Sequence, residues 1–120
     1  EHTVSIDDYL DMIERKTAVL ISISAQLGGI LGGGKDEDIK LLREYGLNLG
    51  MAFQIQDDLL DIVGQKGRIL RGSDIAEGKW SWMAIHAFEN APTKDANTLR
   101  AILEKPRGET TPDDIARAIG

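Results

Sequence analysis

No cysteine occurs anywhere in the 120 residues, which excludes a disulfide framework, a thiolate metal centre and a cysteine nucleophile, and leaves the redox compartment unreported. Histidine is scarce too, with only two residues; neither His2, in the N-terminal stretch, nor His86, on a helix expected to be packed, is assigned a role. Positive charge is in deficit: 14 Lys and Arg stand against 20 Asp and Glu, a formal charge of −6. Such a surface repels a polyanion, so nucleic acid is not an expected partner. No segment alternates apolar and polar residues as a strand would, and there is no internal repeat or low-complexity tract.

What is present is an ordinary folded composition, 42% hydrophobic and 28% charged, too apolar for obligate disorder. The length fits one small domain or a piece of a larger one. The longest uncharged run, Thr17 to Gly34, reaches the lower edge of a membrane span but fails on content. Ser22, Ser24 and Gln26 interrupt it, five of its residues are glycine, and no cationic stretch precedes it. A buried helix followed by a glycine loop is expected instead. The chain opens on Glu1 rather than Met and stops at Gly120 where a helix has only begun, so residues 1–120 are expected to be a fragment of a single larger domain.

Five helices are expected. Ser5 with Asp8 forms a capping-box pattern, and Leu10, Ile13, Thr17 and Leu20 follow helical spacing until the glycines near residue 31. A second helix should run from Asp36 to Val63 with Ile39, Leu42, Gly46, Leu49, Phe53, Leu60 and Val63 as its apolar stripe. A glycine-rich loop with Lys66, Arg68 and Arg71 follows. A third helix should carry Trp80, Met83, Ala84, Ala87 and Phe88, and a fourth should span about Lys94 to Glu104. Thr111, Pro112 and Asp113-Asp114 read as the N-cap, N1 proline and acidic first turn of a fifth. The fold class is all-α.

The sharpest feature is Gln54-Ile55-Gln56-Asp57-Asp58-Leu59-Leu60-Asp61. Asp57 and Asp61 are i, i+4 neighbours on a helix and Asp58 flanks them, so three carboxylates crowd into two turns on the line of an apolar stripe. Either solvent or a cation must relieve their repulsion. Oxygen ligands without Cys or His select a hard metal, and Mg²⁺ takes one or two carboxylates and leaves its other positions to water and phosphate. A solvated acidic helix face is the competing reading of the triplet alone.

Three motifs in order, Lys16-Thr17-Ala18, then Gly46 to Gly50 leading into the Gln54 to Asp61 segment, then Gly72-Ser73-Asp74-Ile75-Ala76-Glu77-Gly78-Lys79, closely resemble the C-terminal half of the trans-isoprenyl diphosphate synthases, the polyprenyl synthetase family. The resemblance spans about residues 5 to 90. It implies an isoprenoid synthase-type helical bundle and the condensation of an allylic diphosphate with isopentenyl diphosphate. It also implies roles position by position. Asp57, Asp58 and Asp61 match the second aspartate-rich motif, which holds the allylic diphosphate through Mg²⁺. Lys16 and Lys79 match lysines on that diphosphate, and Thr17 and Gln54 match residues whose oxygens face the carbocation. Asp74 matches a position near the metal shell.

Ionising an allylic C–O bond requires positive charge at the leaving diphosphate and aligned dipoles at the carbon, which these residue types supply. Where the family commonly carries a Gly-Lys pair ahead of Gly-Ser-Asp, this chain reads Ile69-Leu70-Arg71-Gly72. Arg71, or else Lys66 or Arg68, is expected to replace that lysine, though a guanidinium fork and an ammonium are not equivalent. The family's first aspartate-rich motif and its isopentenyl diphosphate site would lie upstream of Glu1, so the chain alone is expected to be inactive. The resemblance further implies a homodimer in the full-length protein and a cytoplasmic location. A terpene cyclase relative, disfavoured by the Asp57-Asp58-x-x-Asp61 pattern, and a noncatalytic helical subunit or scaffold are the alternatives.

Overall fold

Ser5 opens the first helix as its capping pattern predicts. Its hydroxyl accepts from the Asp8 amide at 3.1 Å, and the Asp8 carboxylate accepts in return from the Ser5 amide at 3.0 Å. The computed structural model describes residues 4–64 and 71–120, and every regular element among them is helical. These are α1 (Ile6–Ile13), a π-helical segment (Glu14–Ala18), α2 (Val19–Leu31), α3 (Asp36–Val63), α4 (Ser73–Ala76), α5 (Trp82–Asn90), α6 (Thr93–Leu103) and α7 (Pro112–Ile119). His2, Lys66 and Arg68 lie outside the described residues. No helix among those described is long and apolar enough to cross a membrane.

The π-helical segment is a departure from the expected uniform helix. Along residues 4–31 the buried positions are Tyr9, Ile13, Ala18 and Ser22. Their steps are four, five and four, and the step of five falls on Glu14–Ala18, where the Val19 amide donates to the Glu14 carbonyl five residues back. One wide turn therefore keeps Ile13, Ala18 and Ser22 in line across the Lys16-Thr17 pair.

Two compact units divide the chain: Leu10–Gln56, and Glu1–Tyr9 with Asp57–Gly120. In the first, α2 and the N-terminal five turns of α3 form an antiparallel pair at glycine distance. A Cβ on Gly46 would stand 2.6 Å from the Ser22 Cα, and one on Gly50 would stand 2.5 Å from the Ala18 Cα. The Ser22 hydroxyl donates to the Arg43 carbonyl at 2.8 Å across the same seam. Because small residues make the seam, the large apolar ones face elsewhere. Leu20, Ile23, Leu27 and Leu31 are exposed, contrary to the expectation that this run would be core. The stripe on α3 is likewise displaced: Gly46 and Gly50 are buried while Phe53 and Val63 are exposed.

The second unit has a small core of Ile75, Ala84, Leu99, Ile102 and Leu103. Its elements start where their caps dictate. Ser81 accepts from the Ala84 amide to begin α5, so Trp80 precedes the helix that was expected to carry it and packs edge-on against Phe88 at 5.4 Å. Helix α6 matches the expected fourth helix within one residue at each end. Thr111 caps α7 with Pro112 in its first turn, as the sequence predicts, and Asp114 completes a reciprocal capping box with Thr111. The four-residue helix α4 has no counterpart in the sequence reading.

Candidate functional site

The last two turns of α3 carry Asp57, Asp58 and Asp61 in the second unit. Asp57 is half-buried, whereas Asp58 and Asp61 are 8% and 3% exposed. The solvated-face reading therefore does not hold for two of the three. Buried carboxylates must be hydrogen-bonded or neutralised, and each has visible partners.

Asp61 anchors the turn at Gly72 to Asp74. The Ser73 hydroxyl donates to its Oδ1 at 2.5 Å, the Asp74 amide donates to its Oδ2 at 2.9 Å, and the Gly72 amide donates to its main-chain carbonyl at 2.9 Å. Gly72 is required here twice over. Its φ of +77° lies in the left-handed region, and a Cβ would meet Ile115 Cγ2 at 2.6 Å. Thus Gly72-Ser73-Asp74 is a local device that points two donors at one carboxylate and begins α4.

Asp74 is itself buried, at 6% exposed. Burial raises its pKa above the ordinary carboxylate value, the Lys79 hydrogen bond opposes that, and the nearby negative charges of Asp61 and Asp58 add to it. Lys79 Nζ donates to Asp74 Oδ1 at 3.1 Å and pairs with Glu77 Oε2 at 3.2 Å. Partial burial works to lower the Lys79 ammonium, but its bonds and charge interactions with Asp74 and Glu77 outweigh it and leave the pKa raised. Lys79 thus joins the acidic group through Asp74, not only its neighbour Glu77.

The residue that the sequence reading missed is Tyr9. It is 2% exposed, and its hydroxyl donates to Asp58 Oδ2 at 2.5 Å. Trp82 meets its ring edge-on with centroids 6.2 Å apart. Burial, the hydrogen bond to Asp58 and the negative charges of Asp58 and Asp74 push the phenol well above its usual pKa. The available signal was a phenol standing between Ile6 and Ile13 on the inward line of α1, because a buried tyrosine hydroxyl needs an acceptor.

Arg71 is exposed and turns back on α3, its Nε and Nη2 donating to the Ile62 carbonyl at 2.8 and 2.5 Å. It caps the helix C-terminus with two of its five N–H donors. In the first unit, Thr17 Oγ1 donates to Gln54 Oε1 at 2.8 Å, which pairs the two residues expected to act together. Lys16, on the wide turn beside Thr17, is exposed.

Among the described residues no three His, Cys, Asp or Glu side chains converge as a self-sufficient metal cage. The donor set of Asp58, Asp61 and Asp74 is all oxygen, with the Lys79 ammonium bonded to Asp74. Such a set fits a hard cation that takes one or two carboxylates and completes its shell with water and phosphate, as Mg²⁺ does.

The family model for polyprenyl synthetase matches residues 1–120. The chain is 44% identical over 102 residues to a short chain isoprenyl diphosphate synthase of Methanothermobacter thermautotrophicus, covering 83% of this chain and 31% of that protein. It is 40% identical over 117 residues to a geranylgeranyl diphosphate synthase of Saccharolobus solfataricus, covering 96% and 35% respectively. A crystal structure of a geranylgeranyl pyrophosphate synthase superposes with a TM-score of 0.82 at 32% identity, over 99% of this chain and 36% of that one. The chain therefore spans about a third of the length of the relatives it matches, in the all-α isoprenoid synthase fold.

Proposed function

The chain belongs to the polyprenyl synthetase family, and from that premise we propose that it supplies one acidic wall of the diphosphate site of a prenyltransferase. The substrates proposed are an allylic diphosphate and isopentenyl diphosphate. The observation that carries the reading is the burial of Asp58 and Asp61 beside Asp74 and Lys79. Beyond their hydrogen bonds, Asp58 and Asp61 act on Asp74 as like charges, a repulsion that a bound cation would relieve.

Asp57, Asp58 and Asp61 are the groups that would hold Mg²⁺, Asp61 with both oxygens already accepting from Ser73 and Asp74. When bound, Mg²⁺ would neutralise the charge that builds on the departing diphosphate. Lys79 adds a fixed ammonium whose charge its acidic neighbours sustain, and Lys16 is proposed as a second ammonium on the same ligand. Arg71 has three further N–H donors with which to reach an anion. Thr17 gives its proton to Gln54, which leaves lone pairs on the Thr17 oxygen, and both residues are proposed to turn oxygens toward the developing cation. A dimeric, cytoplasmic enzyme is part of the same proposal, carried over from the family resemblance.

Calorimetry on the intact protein tests the reading with a non-reactive allylic diphosphate analogue. Binding should require Mg²⁺ and disappear on chelation with EDTA. Equal affinity with and without the metal would contradict it.

A further inference from the structure

We propose that Tyr9 is a positioning residue for Asp58, fixing the orientation and moderating the charge of that carboxylate before any cation arrives. This rests on the diphosphate-site reading above and deepens it. Forty-nine residues separate the two in sequence, yet the Tyr9 hydroxyl donates to Asp58 Oδ2 at 2.5 Å inside a site where both side chains are buried.

The chemistry of the pair argues for a purpose beyond packing. A phenylalanine would fill the same volume and keep the edge contact with Trp82, without the cost of desolvating a hydroxyl. The hydroxyl therefore contributes through its single proton, and that proton goes to the carboxylate. A neutral donor also suits an acidic group that must later accept a cation. Asp58 stands near Asp61 and Asp74, whose charges act on one another, and a hydrogen bond draws negative charge from one oxygen while leaving the net charge in place. A lysine or arginine at position 9 would neutralise the site and compete with the metal.

The geometry is rigid from both ends. Asp58 sits in regular α-helix. Tyr9 is held by its complete burial and by the indole of Trp82 meeting its ring at 85°. Partners that orient a metal-binding group from outside its coordination shell change metal affinity by about 10- to 100-fold when removed.

Mn²⁺ as a paramagnetic substitute for Mg²⁺, titrated with inorganic pyrophosphate and followed by electron paramagnetic resonance on the intact protein, provides the test. Tyr9→Phe should weaken Mn²⁺ binding by about 10- to 100-fold with unchanged far-ultraviolet circular dichroism. In an Asp58→Asn background the same change should add less than about twofold, since uncoupled effects would otherwise add. Wild-type affinity in Tyr9→Phe, or a full loss that persists in the Asp58→Asn background, overturns the positioning role. If Asp57→Ala binds Mn²⁺ and pyrophosphate as wild type does, the underlying diphosphate-site reading falls, and the proposal with it. Should Tyr9→Phe melt below the assay temperature, Trp82→Phe replaces it; that change keeps the donor but loosens its ring, so weaker Mn²⁺ binding supports the role and wild-type binding overturns it.

Discussion

The hydroxyl of Ser73, itself half-buried, donates to Oδ1 of the buried Asp61 across twelve residues of chain at 2.5 Å. This bond ties the end of α3 to the turn that begins α4. Removing the donor leaves a buried carboxylate oxygen without that partner, at a cost of about 1–3 kcal/mol. Ser73→Ala should therefore lower the unfolding free energy by that amount in urea titration, with a smaller drop if Asp61 is already Asn.

Gly50 and Gly28 should respond to alanine with opposite signs. At Gly50 a methyl group would meet the Ala18 backbone at 2.5 Å, whereas nothing stands within 4 Å of a Cβ at Gly28. Gly50→Ala should cost about 1–3 kcal/mol through forced separation of α2 from α3. Gly28→Ala should stabilise by up to about 1 kcal/mol through helix propensity. Chemical denaturation of both variants reads the difference.

A specific part of acid sensitivity should trace to Asp114. The Lys105 ammonium at 2.6 Å, then the amide and hydroxyl of Thr111, hold this carboxyl well below its ordinary value of 3.8. A carboxyl whose folded pKa is depressed contributes stability that is present above the unfolded value and lost as pH falls through the folded one. The wild-type protein should thus lose this contribution on acidification below about pH 4, and Asp114→Asn should flatten that limb of the stability profile. Thr111→Ala, which removes the cap itself, should cost about 0.5–2 kcal/mol at neutral pH.

Lys79 is held by Asp74 and Glu77 rather than by the α3 triplet. Lys79→Ala should raise the apparent constant for the allylic substrate by about tenfold, the order expected for one charge-assisted bond to an anion. An unchanged constant in steady-state kinetics would remove Lys79 from the site.

The helices were legible because their ends are written locally. Ser5 with Asp8, Thr111 with Asp114, and the glycines after Leu31 each settle a boundary within four residues of sequence. Packing was less legible. Leu20, Leu27 and Phe53 fit a helical stripe, but the seam between α2 and α3 runs through Gly46 and Gly50, whose backbones approach more closely than any large side chain allows. The wide turn at Glu14–Ala18 left no local mark, because it follows the register of the buried Ile13, Ala18 and Ser22 and not a sequence preference. Within the candidate site the acidic triplet stood out, whereas for Tyr9 the sequence offered a phenol on the inward line of α1 but not its acceptor, which lies 49 residues away.

Steady-state turnover of Asp57→Ala in the intact protein tests the central claim most directly, that the acidic end of α3 grips a metal-bound diphosphate. The account predicts a loss of about 100-fold or more in kcat, the scale on which a preorganised electrostatic partner of the leaving group acts, with the thermal melt little changed. Turnover within a factor of about two of wild type, well under the tenfold that 1.36 kcal/mol of barrier represents, would contradict it.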